Sequence, residues 1–256
     1  MITSPSNSKV KLIRSLARRR ARFAAQQFVI EGVRLIEEAV DAQIVPALVL
    51  YTARVGEEPR GHALLERLRA ATPDVYEASD AVMQAASSTE SPQGIIAVVP
   101  FVELPMPAPP QFALILDAVR DPGNVGTIFR SARGAGVDAV FCAPGTADPY
   151  NDKVVRAAMG AHFRVPLRVV TWEHLVDALR GVSRVYLADA RGEIEYTHAD
   201  WTRPVALIVG GEAEGASEEA RKIAKAHVSI PMRGGAESLN AAMAATVLLF
   251  EAAKKR

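Results

Sequence analysis

Asn124 and Arg130, set in LDAVRDPGNVGTIFRSARGAGVDAV (residues 116–140), place an amide and a guanidinium close together behind a hydrophobic run that reads as a strand. An amide can orient a hydroxyl or a neighbouring cation, and a guanidinium grips phosphate or stabilises negative charge forming on oxygen. VALIVGGEAEGAS (residues 205–217) brings Gly210, Gly211, Glu212, Glu214, Gly215 and Ser217 to the end of another apolar run. Glycines there let a ligand approach the main chain, which is how an adenosine could be held. HVSIPMRGGAESLN (residues 227–240) adds Ser238 and Asn240 after a loop with Gly234 and Gly235. Plainer readings stand beside these. Asn124 can cap a helix, Arg130 can pair with an acid, and Glu212 and Glu214 can form a solvated turn. Ser238 reads as an N-cap, which leaves Asn240 without a capping role.

A strand, a Gly-rich turn and a helix must deliver each cluster to one edge of a sheet. The periodicity supplies them: strands in FALILD, VDAVFCA, VPLRVV, RVYLAD, VALIVG and HVSIP, with helices near residues 125–134, 153–161, 174–179, 218–226 and 239–254. Pro122 and Gly123 read as a turn before the first helix. Repeated alternation predicts a mostly parallel sheet with helices on both faces. Upstream, helices near residues 9–22, 31–42, 62–70 and 81–86, with strands in ALVLY, near Val75 and in GIIAVV, predict a small α/β domain. LPMPAPP lacks backbone donors and disfavours helix, so it reads as a stiff linker. The expected division is 1–103, a linker at 104–111, and 112–256.

The 256 residues, 49% hydrophobic and 23% charged, fit a globular chain rather than a disordered one. No run is long and apolar enough for a membrane span or a signal peptide, which makes the cytoplasm the simplest expectation. The single cysteine, Cys142, excludes an internal disulfide and a Cys-rich metal site, and reads as a buried strand residue. Net charge is only +1, but Lys9, Lys11, Arg14, Arg18, Arg19, Arg20 and Arg22 precede any acid. Such a run is a solvated helix face or a phosphate-tracking arm. The Gly-rich turn lacks both the G-x-G-x-x-G spacing and a P-loop lysine, and the missing dinucleotide fingerprint argues against a Rossmann-type oxidoreductase.

Taken together, DPGNVGTIFRSARGAGVDAV, DPYNDKVVRAAMGAHFRVP, IVGGEAEGAS and IPMRGGAESLN resemble the motifs of the SpoU (TrmH-type) RNA ribose 2'-O-methyltransferases of the SPOUT class. The N-terminal part is similar to the RNA substrate-binding domain many members carry. The resemblance implies S-adenosylmethionine as cofactor, no metal, RNA as substrate with ribosomal RNA favoured over transfer RNA, a trefoil knot in the C-terminal domain and a homodimer built through it. It makes Asn124, Arg130, Glu212, Ser238 and Asn240 the catalytic set. Gly210, Ile230, Met232 and Leu239 become the cofactor positions, and Arg18, Arg19 and Arg20 the RNA-binding arm. Arg130 would stabilise charge on the 2'-oxygen, because a guanidinium keeps its proton at ordinary pH and makes a poor base. One departure is Ala213, where many members have glycine. A protein that keeps the fold and RNA binding without the chemistry is the competing expectation.

Overall fold

Short apolar runs bounded by turn residues become the strands of two sheets, one in each of two parts of the chain. The computed structural model describes residues 1–211 and 215–255. Contacts divide it into a unit of Met1–Val102 with Tyr150–Phe163, and a unit of Glu103–Pro149 with the described residues from Arg164 onward.

In the first unit β1 (Gln27–Glu31), β2 (Leu48–Tyr51), β3 (Val75–Glu77) and β4 (Ile95–Pro100) lie in the order β1-β4-β2-β3. β4 is antiparallel to β1 and β2, and β3 is parallel to β2. β1 is a strand the sequence pattern hides, because QFVIE runs through Gly32 straight into the helix Val33–Asp41. The helix expected over residues 9–22 is two, Ser8–Ser15 and Arg19–Ala25. Arg22 joins them: its Nη1 donates to the carbonyls of Leu16 and Ala17 at 2.7 and 2.8 Å, and the residue is buried. It is a structural member of the basic run, whereas Arg18, Arg19 and Arg20 are exposed.

The helix Asp152–Ala158 and the turn Ala161–Phe163 pack with this first unit. That differs from an uninterrupted 112–256 domain. The cause is aromatic burial: Tyr150 stacks on Phe101 with centroids 3.7 Å apart, and Phe163 stacks on Phe28 at 6.1 Å.

In the second unit β5 (Phe112–Asp117), β6 (Ala139–Cys142), β7 (Leu167–Val169), β8 (Arg184–Ala188), β9 (Ile194–Glu195), β10 (Val205–Gly210) and β11 (Ala226–Ser229) form one sheet. Their order is β7-β6-β5-β10-β8-β11-β9, and every neighbouring pair is parallel. One face carries Ala113, Ile115, Phe141, Leu187 and Ile208 against Leu175 and Ala220 of two helices. On the other, Leu114, Leu116, Leu207 and Val209 are equally buried, and the helix Ala241–Ala253 contacts both β10 and the helix Pro122–Ala135. Strands buried on both faces must be apolar throughout, which is how FALILD and VALIVG read. Because all strands point one way, Asp117, Ala188, Gly210 and Ser229 end at one edge. No helix among the described residues is long and apolar enough to cross a membrane.

Candidate functional site

The first motif enters the helix Pro122–Ala135 with Pro122 in its first turn and Asp121 as N-cap, whose carboxylate accepts from the Asn124 N–H at 2.8 Å. Pro122 and Gly123 therefore belong to the helix rather than to a preceding turn: proline has no N–H to lose at the first helical position. Asp121 also takes the capping role expected of Asn124. The Asn124 side chain instead accepts, through Oδ1, a hydrogen bond from Asn240 Nδ2 at 3.1 Å.

Asn240 itself caps the helix Ala241–Ala253, its Oδ1 accepting from the N–H groups of Ala242 and Met243 at 2.9 and 3.3 Å. The cap expected at Ser238 lies two residues later, since the helix begins at Ala241 and not near Leu239. Ser238 is left exposed at the wall of a cleft. A second tie holds the two helices. Thr246 donates its hydroxyl to the Ala242 carbonyl at 2.7 Å, so Ser131 donates to Thr246 across another 2.7 Å.

Gly210 and Gly211 are fixed by close approach. A Cβ on Gly210 would sit 2.8 Å from the Ala216 nitrogen, and one on Gly211 would run into the Ala118 carbonyl oxygen. Both obstacles are backbone, so neither can swing aside. Beyond them Ser217 caps the helix Glu218–Ile223, as the sequence suggests, and its N–H donates to Asp117 Oδ2 at 2.6 Å. Asp117 is 1% exposed, so this bond anchors the Gly-rich loop to the end of β5. Glu212 lies outside the described residues, as do Ala213 and Glu214.

A cleft of about 480 Å³ opens at this edge, within the usual range for small-molecule sites. Gly210, Ile230, Met232, Ser238, Leu239 and Asn240 all line it, so the second and third clusters converge there. Asn124 adjoins through its bond to Asn240. Arg130 stands six residues further along the first helix and is exposed, roughly 9 Å along the axis at the α-helical rise. Arg18, Arg19 and Arg20 belong to the first unit. Arg19 lies over the Phe23 ring at 4.9 Å.

Sequence reading misses Asp189 and Arg221, both in the cleft wall. Asp189 directly follows β8, and its position at a strand's carboxyl end is the signal that could have found it. The Arg191 N–H, then the Arg221 guanidinium and the His227 ring, hold its carboxyl below the usual range against the opposing effect of burial. Among the described residues no cluster of His, Cys, Asp and Glu could hold a metal.

Residues 111–250 match the family model described as "SpoU rRNA Methylase family", and residues 7–97 match "MRM3-like substrate binding domain". The chain is 35% identical to the 23S rRNA (guanosine(2553)-2'-O)-methyltransferase RlmP of Bacillus subtilis, over 97% of each protein. It is 33% identical to the 23S rRNA (uridine(2479)-2'-O)-methyltransferase of Streptomyces viridochromogenes, over 94% of this chain and 87% of that protein. In structure it is similar to the AdoMet-bound rRNA methyltransferase from Sinorhizobium meliloti, with a TM-score of 0.87 and 30% identity over 99% of this chain and 97% of that one.

Proposed function

Because the chain belongs to the SpoU rRNA methylase family, we propose that it transfers a methyl group from S-adenosylmethionine to the 2'-oxygen of a ribose in ribosomal RNA. One observation carries this reading: the cleft is built from the glycine edge of β10 and the loop before the last helix, and Asn240 ties that loop to Asn124. The cradle fits an adenosine-bearing ligand. An added Cβ at Gly210 would strike the backbone of Gly215 and Ala216, and one at Gly211 the Ala118 carbonyl oxygen, while Ile230, Leu239 and Leu248 supply apolar wall beside main-chain polar groups.

Bound there, S-adenosylmethionine supplies an electrophilic methyl carbon on a sulfonium, a good leaving group. The protein's share is alignment and charge. Arg130, exposed on the helix whose first turn holds Asn124, would meet the phosphate beside the target ribose and stabilise negative charge growing on the 2'-oxygen. Asn124, held by Asn240, would orient the ribose or Arg130. Ser238 and Glu212 would shape the nucleotide's side of the pocket.

The first unit would choose the RNA. Arg18, Arg19 and Arg20 are exposed at the start of the helix Arg19–Ala25, where cations oppose the helix dipole, although Arg19 gains a contact with the Phe23 ring. That placement suits contact with RNA phosphates. A homodimer through the C-terminal helix accords with Met243 at 63% and Phe250 at 47% exposure on that helix. A trefoil knot accords with β10 lying between β5 and β8 although it follows β8 in the chain. We place its action in the cytoplasm, a reading supported by a ribosomal RNA substrate and by similarity to RlmP of Bacillus subtilis.

The test is to incubate the purified chain with labelled S-adenosylmethionine and ribosomal RNA, then map ribose methylation. A single 2'-O-methylated nucleotide is expected. Methylation of transfer RNA alone would move the substrate, and failure to bind the cofactor would leave the silent RNA-binding reading.

A further inference from the structure

Asp189 is a carboxylate that the three motifs leave without a role, and among the described residues it is the only carboxylate lining the cleft. It is the first residue past β8, the strand between β10 and β11, and its N–H donates to the Val228 carbonyl at 3.0 Å. On β8's other side Ala188 pairs with Val209, and that register sets Asp189 at the carboxyl edge beside Gly210. Oδ1 accepts from the Arg191 N–H at 2.9 Å. Oδ2 stands 3.4 Å from Arg221 Nη1 and 3.4 Å from His227 Nδ1, both long contacts. A carboxylate offers about four acceptor positions. These contacts fix its direction and leave acceptor capacity in hand.

We propose that Asp189 recognises the ribose of the nucleoside held in this cleft, accepting hydrogen bonds from its 2'- and 3'-hydroxyls, with Arg221 and His227 steadying the carboxylate. The assignment rests on reading the cleft as the S-adenosylmethionine site. Its chemistry is a matter of matching. Adenine faces and the carbon skeleton suit Ile230, Leu239 and Leu248, whereas a vicinal diol presents two adjacent donors that an ionised carboxylate can accept together. Dinucleotide folds use the same device, an acid at the end of a parallel strand near a glycine turn taking ribose hydroxyls. Here the strand order brings β8 beside β10 and sets the acid next to the glycines. Asp189 is therefore a specificity residue for the cofactor, distinct from the groups placed near the RNA ribose.

Calorimetric titration of the full chain with S-adenosylhomocysteine and with its 2',3'-dideoxy analogue tests this. Wild type should bind the analogue about tenfold to a hundredfold more weakly, the range for losing hydrogen bonds to a charged group. Asp189→Asn should weaken S-adenosylhomocysteine by a similar factor and show little further loss with the analogue. Equal affinity of wild type and Asp189→Asn for S-adenosylhomocysteine would overturn the assignment. So would an undiminished analogue penalty in the variant, the result expected if Asp189 only braces Arg221 and His227. Asp189→Ser, which keeps an acceptor for the Arg191 N–H, replaces the Asn variant if melting shows that one unfolded. Wild-type protein that binds neither ligand would refute the cofactor reading itself and the assignment with it.

Discussion

Asn240 donates its amide to Asn124 Oδ1 at 3.1 Å while its own Oδ1 caps the C-terminal helix, so one side chain both starts that helix and pins it to the first motif. The two residues stand 116 positions apart. Capping and joining can be separated by substitution. Asn240→Ala should lose the cap, about 1 kcal/mol, along with the joint. Asn240→Ser should keep most of the stability, because serine caps well, yet lose methyl transfer because it lacks the amide donor. Thermal melts beside initial rates decide the matter, and a fully active Asn240→Ser enzyme would make the joint irrelevant to catalysis.

Arg130 is exposed, so its removal should change stability by no more than about 0.5 kcal/mol. If it stabilises charge in the transition state, Arg130→Ala should lower kcat by about 10²–10³ while cofactor affinity is unchanged. Arg130→Lys should recover only part, since an ammonium lacks the planar fork. Single-turnover rates at saturating RNA measure this, and a kcat near wild type would remove Arg130 from the mechanism.

Replacing Arg18, Arg19 and Arg20 together by glutamine should weaken RNA binding. The slope of log affinity against log salt should flatten by about 0.7–0.9 for each phosphate that the arm no longer neutralises. Cofactor affinity should not move. Stability should change little, because relief of the opposition to the helix dipole offsets the loss of the Arg19 contact with Phe23. An unchanged salt slope would take the RNA-binding role away from this arm.

Met243 and Phe250 give the dimer proposal its test. Sedimentation should show wild type as a dimer and Met243→Glu as a monomer with an unchanged circular dichroism spectrum, since Met243 is 63% exposed within one chain. A monomeric wild-type protein would end the proposal.

Cys142 predicts a pH dependence. Its thiol is 1% exposed, and burial, reinforced by the Asp148 charge, pushes its pKa far above the ordinary value. Above about pH 8.5 the unfolded chain loses this proton while the folded chain keeps it, so stability falls as pH rises, by about 1.4 kcal/mol per unit. Denaturant melts between pH 8 and 10 should show that decline, and Cys142→Ala should flatten it. An identical decline in both proteins would assign the effect to other groups.

The apolar runs FALILD and VALIVG announce strands buried on both faces because their residues leave no polar side. The three polar clusters were likewise legible as clusters from residue type and spacing, whereas the roles expected of them came from the family resemblance. Local competition between neighbouring residues is what sequence patterns leave undecided. Asp121 and Asn240 take caps that Asn124 and Ser238 could have made, and a one-dimensional pattern cannot rank neighbouring caps without knowing where each helix must begin. Arg22 looks like its exposed neighbours until the chain folds back and hands it two carbonyls.

Residue identity alone determined that this chain alternates strand and helix, that it carries its polar groups in three clusters, and that no disulfide can brace it. Tertiary structure decided which of those groups meet. Asp189 is ordinary in the sequence, and it reaches the cleft because β8 pairs with β10, a neighbour set by sheet order and not by chain proximity. Tyr150 to Phe163 leave the second unit because Phe28 and Phe101 offer their rings a buried surface. Spacing along a chain encodes local geometry, whereas long-range pairing depends on how all the apolar surfaces are buried together.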